Sequence, residues 1–238
     1  MKQFKIRCSA ISDIMAEPRL KSETLSQGAK TYVEKWVKQN MFGRREQINS
    51  KYISKGLETE EQGLNLITQV LKLGFFTKNE ERKEDDYKTG EIDFLEKGVI
   101  YDNKASFSIE TFPLFGKSLD VKYYAQMQGY LDLWRLEKGK VCYTLVNTPF
   151  DILKRELRWI EDDNEKQQTA LNHIFTEKYW KEVRAELFPN AKPIKFQSIE
   201  DKYRVKVFEV IRDDEYINKI NIKVKLCNEY AQELLVNL

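Results

Sequence analysis

The chain reads as an α/β fold in which a small mixed central sheet is flanked by helices. Three observations predict it. Two short segments, Gly90 to Leu95 and Val99 to Ala105, alternate with period two and meet at Gly98, where a tight turn would join them into a hairpin. Tyr123 to Trp134 instead carries apolar residues at 123, 127, 130, 131 and 134, which is helical spacing. Lys140 to Val146 and Tyr203 to Ile211 add two further strand-like runs, separated by helical stretches.

The elements follow in order. A short helix is expected from Ser9 to Met15, then a basic helix from about Leu25 to Asn40 and a loop containing Gly43 and Asn49. The next helix carries Leu57, Leu64, Ile67 and Leu71 as its apolar stripe and ends near Gly74. In the hairpin, alternation puts Glu91, Asp93 and Leu95 on one face of the first strand, and Ile100, Asp102 and Lys104 on one face of the second. A loop with Pro113 and Gly116, aromatic at Phe107, Phe112 and Phe115, leads to the helix at Tyr123. The strand from Lys140 stops before Pro149. Helices are expected from Phe150 to Glu161 and from Asp163 to Leu187, with Pro189 and Pro193 as punctuation. The strand from Tyr203 and a final helix from Glu215 to Leu235 close the chain. No repeat, low-complexity linker or clean boundary divides the 238 residues, so one domain is expected.

The hairpin carries the chemistry. Pairing would bring Asp93 beside Asp102 and Lys104. Two carboxylates about 5 Å apart repel by roughly 3 kcal/mol at an effective dielectric of ~20. A cation between them removes that cost, and an all-oxygen ligand set favours Mg²⁺ or Mn²⁺. The lysine adds a positive charge that can orient or help deprotonate a water, or hold a phosphate oxygen. This is apparatus for metal-assisted phosphodiester hydrolysis.

The acid-x-Lys triplet is weak by itself. In a chain that is 33% charged it also occurs at Glu81/Lys83, Asp86/Lys88, Asp120/Lys122 and Glu200/Lys202. Only Asp102/Lys104 sits in an apolar strand with an acid-bearing strand just upstream. Gln126 and Tyr130 add a third element. They are four residues apart on the helix and share a face, where the amide can bond a phosphate or the lysine and the tyrosine can stack or donate its hydroxyl.

The order Glu91-Ile92-Asp93, Asp102-Asn103-Lys104, Gln126-x-x-x-Tyr130 resembles the PD-(D/E)XK nucleases of the RecB branch, which implies a restriction-endonuclease-like core. That resemblance implies an acid on the helix before the hairpin. Glu60, four residues after Gly56, matches it, and Glu61 is the alternative. It also implies the backbone carbonyl of Asn103 as a further metal ligand. Lys5-Ile6-Arg7-Cys8-Ser9-Ala10-Ile11-Ser12-Asp13 looks like the opening of YqaJ-type viral recombinases, relatives of the lambda-type exonuclease. In that family a basic residue and a serine of this opening contact a 5′-terminal phosphate. Arg7 and Ser9 match, with Ser12 the weaker choice. The site departs from many relatives in having Asp102 where glutamate is common and Ile92 where proline is common.

The resemblance implies a metal-dependent DNA exonuclease of the phage recombination type, acting on one strand of linear duplex from the 5′ end. Glu60, Asp93, Asp102 and Asn103 would hold the metal, with Lys104 and Gln126 completing the catalytic set and Arg7, Ser9 and Tyr130 binding DNA. The aromatic loop at Phe107, Phe112 and Phe115 would clamp a strand. A single-strand annealing protein is the implied partner, and a ring trimer the implied assembly. A structure-specific or restriction-type endonuclease, and a non-catalytic DNA-binding or assembly protein with the same fold, stay open.

Composition narrows the classes. Hydrophobic residues make up 41% of the chain, enough for a real core, and no apolar run nears the ~20 residues needed to span a bilayer. No signal peptide is visible. Cys8, Cys142 and Cys227 are dispersed, as in a reduced cytosolic protein, and three cysteines cannot make a four-thiolate iron–sulfur site. The one histidine, His173, argues against histidine-rich zinc chemistry. Net charge is only +2, but its distribution is uneven. Met1 to Lys55 holds 12 Lys/Arg against 5 Asp/Glu, while Gly56 to Ile100 holds 6 against 11. A basic portion beside an acidic site-bearing portion suits a DNA track leading to metals. Lys35, Trp36, Lys38, Arg44 and Arg45 are its cationic-aromatic part, though each singly also fits a solvated helix face.

Overall fold

The structure is a computed structural model that describes residues 3–45, 50–74 and 77–236. The expected loop residue Asn49 lies outside them. In chain order the elements are β1 (Ile6–Arg7), α1 (Ile11–Met15), α2 (Gln27–Phe42), α3 (Lys51–Leu71), β2 (Arg82–Glu84), β3 (Lys88–Glu91), β4 (Phe94–Glu96), β5 (Val99–Ala105), α4 (Val121–Trp134), β6 (Lys138–Thr144), α5 (Phe150–Leu157), α6 (Asp163–Leu171), α7 (Glu177–Leu187), β7 (Val205–Ile211) and α8 (Asp214–Val236). Strands β4, β5, β6 and β7 form the central mixed sheet in that order, and β1, β3 and β2 form a second, smaller one.

The hairpin forms as its turn residues dictate. Lys97 and Gly98 both have positive φ, 48° and 75°, the pattern of a two-residue hairpin turn whose twist matches the flanking strands. β5 then pairs in parallel with β6, and a parallel pair needs a crossover. Residues 106–120 and α4 supply it. α4 therefore lies on one face of the sheet, where Met127 and Leu131 pack with Ile100, Val141 and Val210. α3 covers the opposite face, with Leu64 and Ile67 against Phe94, Tyr101 and Cys142. It starts at an N-cap, Ser50, whose hydroxyl accepts from the Ile53 amide at 3.2 Å. α3 comes very close to β5 at Gly63, where an added Cβ would sit 2.3 Å from the Asn103 side chain.

Three expectations need correction. The strand expected from Gly90 to Leu95 is broken at Ile92–Asp93. β3 belongs to the small sheet, and only β4 pairs with β5. Asn79 causes the break, its amide donating to the Asp93 carbonyl at 2.8 Å and its side chain to the Ile92 carbonyl at 3.1 Å. The helix expected from Asp163 to Leu187 is two helices. Between them the Thr148 amide donates to the His173 carbonyl, and the Phe175 amide to Asn147 Oδ1, so tertiary bonds replace helical ones. Leu57, expected on the apolar stripe of α3, is 72% exposed. Tyr52 and Ile53, one turn earlier, are exposed as well, so the buried face of α3 is carried by Lys55, Thr59, Gly63, Leu64, Leu66 and Ile67.

Lys55 is an unusual core residue. It is 1% exposed, and its Nζ donates to the Phe107 carbonyl at 2.9 Å between the rings of Phe107 and Phe175. Thr148 Oγ1 and His173 Nδ1 approach the same carbonyl at 3.4 and 3.2 Å. Burial pushes the Lys55 pKa down from 10.5 to about 7. Because the folded value lies below the unfolded one, the buried ammonium penalises the fold fully below about 7, and the penalty fades as pH rises toward 10.5. Lys55→Met should therefore gain stability over the parent at pH 6, by at most ~5 kcal/mol, and lose that advantage by pH 10. Urea unfolding of both chains at the two pH values checks this. A difference independent of pH contradicts it.

Candidate active site

The break at Asp93 creates the site. Released from both sheets, Asp93 turns its carboxylate onto β5, where Oδ2 accepts from the Asn103 amide at 2.6 Å. Asp102 is 2% exposed on the α4 face of the same strand. Its Oδ2 holds Lys104 Nζ at 2.7 Å, and its Oδ1 faces Gln126 Nε2 at 3.4 Å. Gln126 also donates to the Tyr130 hydroxyl at 2.8 Å. The i to i+4 spacing of these two on α4 lets one amide touch both partners.

Electrostatics tie the group together. Burial first, then the charge of Asp102, push the Asp93 pKa up, with Glu60 adding to the effect; Lys104 and the Asn103 amide oppose it. Burial disfavours the Lys104 ammonium, but the charge and hydrogen bond of Asp102, helped by Asp93, prevail and hold its pKa above the ordinary value. The lysine is thus a fixed cation rather than a base while Asp102 holds it. Burial and Asp102 also raise the Tyr130 pKa, so this phenol stays neutral.

Glu60 reaches the cluster from α3, on the far side of the sheet. It is engaged by Lys78 at 3.0 Å. Of the two acids on this turn, Glu60 is the one whose charge acts on Asp93, while Glu61 is exposed. Among the described residues, no three Asp, Glu, His or Cys side chains converge into a ready-made cation cage. The pair Asp93 and Asp102 is nonetheless suited to one, being a half-buried and a buried oxygen donor that repel each other. Asn103 turns its side chain away, its Oδ1 accepting from Thr144 at 2.8 Å.

Arg7 and Ser9 are both exposed and flank the buried Cys8. The Arg7 guanidinium lies close enough to the Tyr32 hydroxyl to lower its pKa against the larger effect of burial. β1 pairs with β3 at Arg7 and Thr89, and Asp93 follows two residues after β3 ends at Glu91, so a short stretch of chain links this segment to the cluster. Tyr130 is only 5% exposed. Its ring is packed in the core and is not presented to a base; its hydroxyl holds Gln126. Of the aromatic loop, Phe107 and Phe112 are buried and only Phe115, 89% exposed, stands in solvent. Sequence reasoning missed Lys78 and Thr144. No pattern marks Lys78, whose backbone is brought beside the site by its bridge to Phe94 and whose side chain then reaches Glu60. Thr144 stands beside the site because β6 runs parallel to β5.

No protein-family model matches the chain, and no curated protein matches it in sequence. Solved structures do. A phage-related exonuclease from Haemophilus somnus 129PT is 26% identical and superposes with a TM-score of 0.77 over 99% of this chain and 97% of its own. The alkaline exonuclease LHK-Exo from Laribacter hongkongensis shares the fold at 14% identity, with a TM-score of 0.62 over 98% of this chain and 90% of its own. A structure of LHK-Exo in complex with dAMP superposes with a TM-score of 0.61.

Proposed function

Since the chain belongs to the lambda-exonuclease-like PD-(D/E)XK nucleases, we propose that it is a metal-dependent deoxyribonuclease that degrades one strand of linear duplex DNA from the 5′ end. The observation that carries this is the Asp93–Asp102–Lys104 cluster, with Asp102 buried and the other two half-buried: two carboxylates and one ammonium held within hydrogen-bond reach of the same short stretch of β5. Asp93 and Asp102, with Glu60 and the Asn103 carbonyl, would hold Mg²⁺ or Mn²⁺. When bound, the ion supplies a water of lowered pKa and a charge on the phosphoryl oxygen. Lys104, kept protonated, faces the phosphate oxygens or orients the attacking water. Gln126, fixed by Tyr130, sets the direction of the Asp102 carboxylate. Glu60, now paired with Lys78, would be a further donor for the cation. The single strand left behind suits a strand-annealing partner.

Arg7 and Ser9 would take the terminal phosphate. The guanidinium and the hydroxyl lie on one exposed stretch joined to the site through β3, as end recognition requires. A charge-assisted contact of this kind contributes roughly 1.5–3 kcal/mol. Arg7→Ala should weaken binding of 5′-phosphorylated ends by about one to two decades and leave 5′-hydroxyl ends little changed. The test uses duplexes labelled at either the 5′ or the 3′ end. Early release of the 5′ label, and selective loss with Arg7→Ala, support the reading. Early release of the 3′ label, or equal loss on both kinds of end, overturns it.

A further inference from the structure

The row of side chains that crosses the central sheet through Lys104 extends beyond the cluster. The register sets Lys104 beside Tyr143, and Tyr143 beside Lys206, so lysine, tyrosine and lysine stand in line on one face of β5, β6 and β7. Phe208, opposite Val141, shares that face. The Tyr143 ring meets Tyr123 edge-on at 5.8 Å and Phe208 edge-on at 5.8 Å. Ammonium groups lie over the outer rings, Lys104 and Lys122 at 4.9 and 5.8 Å from the centre of Tyr123, and Lys206 at 5.4 Å from that of Phe208. None of the three rings is fully buried. The turn at Pro113–Gly116 packs against Phe208 at Gly116, and Phe115 of the same turn is exposed.

The charges here differ from those on the other face of the same strands. There, Lys140 pairs with Glu209 at 3.2 Å. On this face the ammonium groups of Lys122 and Lys206 have rings for neighbours, and among the described residues neither pairs with an acid. Of the acids of the crossover, Asp120 caps α4, accepting from the Lys122 amide at 2.8 Å, and its charge also acts on Tyr143. A partner that brings phosphates at regular intervals, and flat apolar faces between them, complements this pattern. Base faces are available in unpaired strands, whereas a duplex keeps them stacked inside.

We propose that Tyr123, Tyr143, Phe208, Lys122 and Lys206 form a track for unpaired nucleotides of the strand whose phosphate meets Lys104. This rests on the DNA-hydrolysing reading above and adds to it where the cut strand lies once parted from its complement. The rings would take bases of any sequence, and the lysines their phosphates.

The test compares the parent with Lys122→Ala/Lys206→Ala and with Phe208→Leu, which keeps apolar volume but removes the ring. Fluorescence anisotropy in Ca²⁺ measures binding of an oligonucleotide of about 12 nucleotides, within the usual site size for a single strand, and of a blunt duplex. Each variant should lose about tenfold or more in single-strand affinity and much less for duplex. The double variant should also show a shallower salt dependence on single strands. A 5-iodouracil oligonucleotide should photocross-link to Tyr143, Tyr123 or Phe208. Equal losses on both nucleic acids, unchanged single-strand affinity, or cross-links confined to other rings overturn the track. Hydrolysis of linear duplex by the parent is measured in parallel. If the parent cuts and the track fails, the nuclease reading stands; if the parent cuts nothing, that reading fails on its own account.

Discussion

Lys104→Ala should lower the single-turnover cleavage of linear duplex DNA about 100-fold or more while the chain still binds metal and DNA. The magnitude is that of one preorganised charge aimed at a transition state. The geometry says why this lysine supplies it. Its Nζ lies 2.7 Å from Asp102 Oδ2 and 4.9 Å from the Tyr123 ring, so the side chain is fixed before substrate arrives. Its raised pKa keeps it charged through the neutral and mildly alkaline range. Removing it deletes a competitor for the Asp102 carboxylate, so divalent cation affinity should hold or rise. DNA affinity should fall less than the rate, because on the proposed reading the basic N-terminal portion would supply most phosphate contacts. Single-turnover cleavage of an end-labelled duplex at saturating Mg²⁺, beside a binding assay in Ca²⁺, separates the two effects. Normal cutting by the variant would remove Lys104 from the catalytic set, whereas a parent that cuts no DNA would move the chain to the non-catalytic reading.

Asp102→Asn and Asp93→Asn should each abolish hydrolysis and weaken Mg²⁺ and Mn²⁺ binding, yet they should differ in stability. Asp93 is a half-buried acid whose pKa is pushed up by desolvation and by Asp102. An asparagine in its place can still accept from the Asn103 amide and carries no charge, so the metal-free fold should hold or gain stability. Asp102 is the counter-ion of a lysine whose side chain is only 20% exposed. Asp102→Asn leaves that ammonium without its main partner, and breaking a buried pair is costly, on the order of 3 kcal/mol before Asp93 compensates. Thermal unfolding without metal should therefore rank Asp93→Asn above Asp102→Asn. Metal titration by calorimetry should show both to be impaired. The reverse stability ranking would mean that Lys104 is not held by Asp102, and wild-type cutting by either variant would mean that the site is elsewhere.

The strongly patterned parts of this fold were legible in the sequence. β5 and α4 declare themselves by period, and Gly98 marks the turn. Asp102, Lys104 and Gln126 come together as their spacing on those two elements requires. What could not be read depends on contacts distant in sequence. Asn79 decides that the chain breaks at Asp93, and Asn147 and Thr148 decide that a 25-residue helical pattern becomes α6 and α7. The three-residue strand β2 and two-residue β1 carry too little pattern to register. Nothing in the sequence marks Lys55 as a core residue, and it lies there because its ammonium finds the Phe107 carbonyl, a contact 52 residues away. The choice between Glu60 and Glu61 needed the helix phase that Gly63 sets by its close approach to Asn103. Tyr130 shows the opposite error: spacing put it beside Gln126 correctly, but depth within α4 makes it a support rather than a surface for DNA.

The central claim is that this cluster hydrolyses DNA from an end with a divalent cation. Its most direct test is incubation of the purified chain with linear and covalently closed circular duplex of the same sequence, in Mg²⁺ and in EDTA. The account predicts progressive loss of the linear DNA in Mg²⁺, an intact circle, and no reaction of either in EDTA. Nicking or cutting of the closed circle would assign the site to an endonuclease, and an untouched linear duplex in Mg²⁺ and in Mn²⁺ would contradict the account.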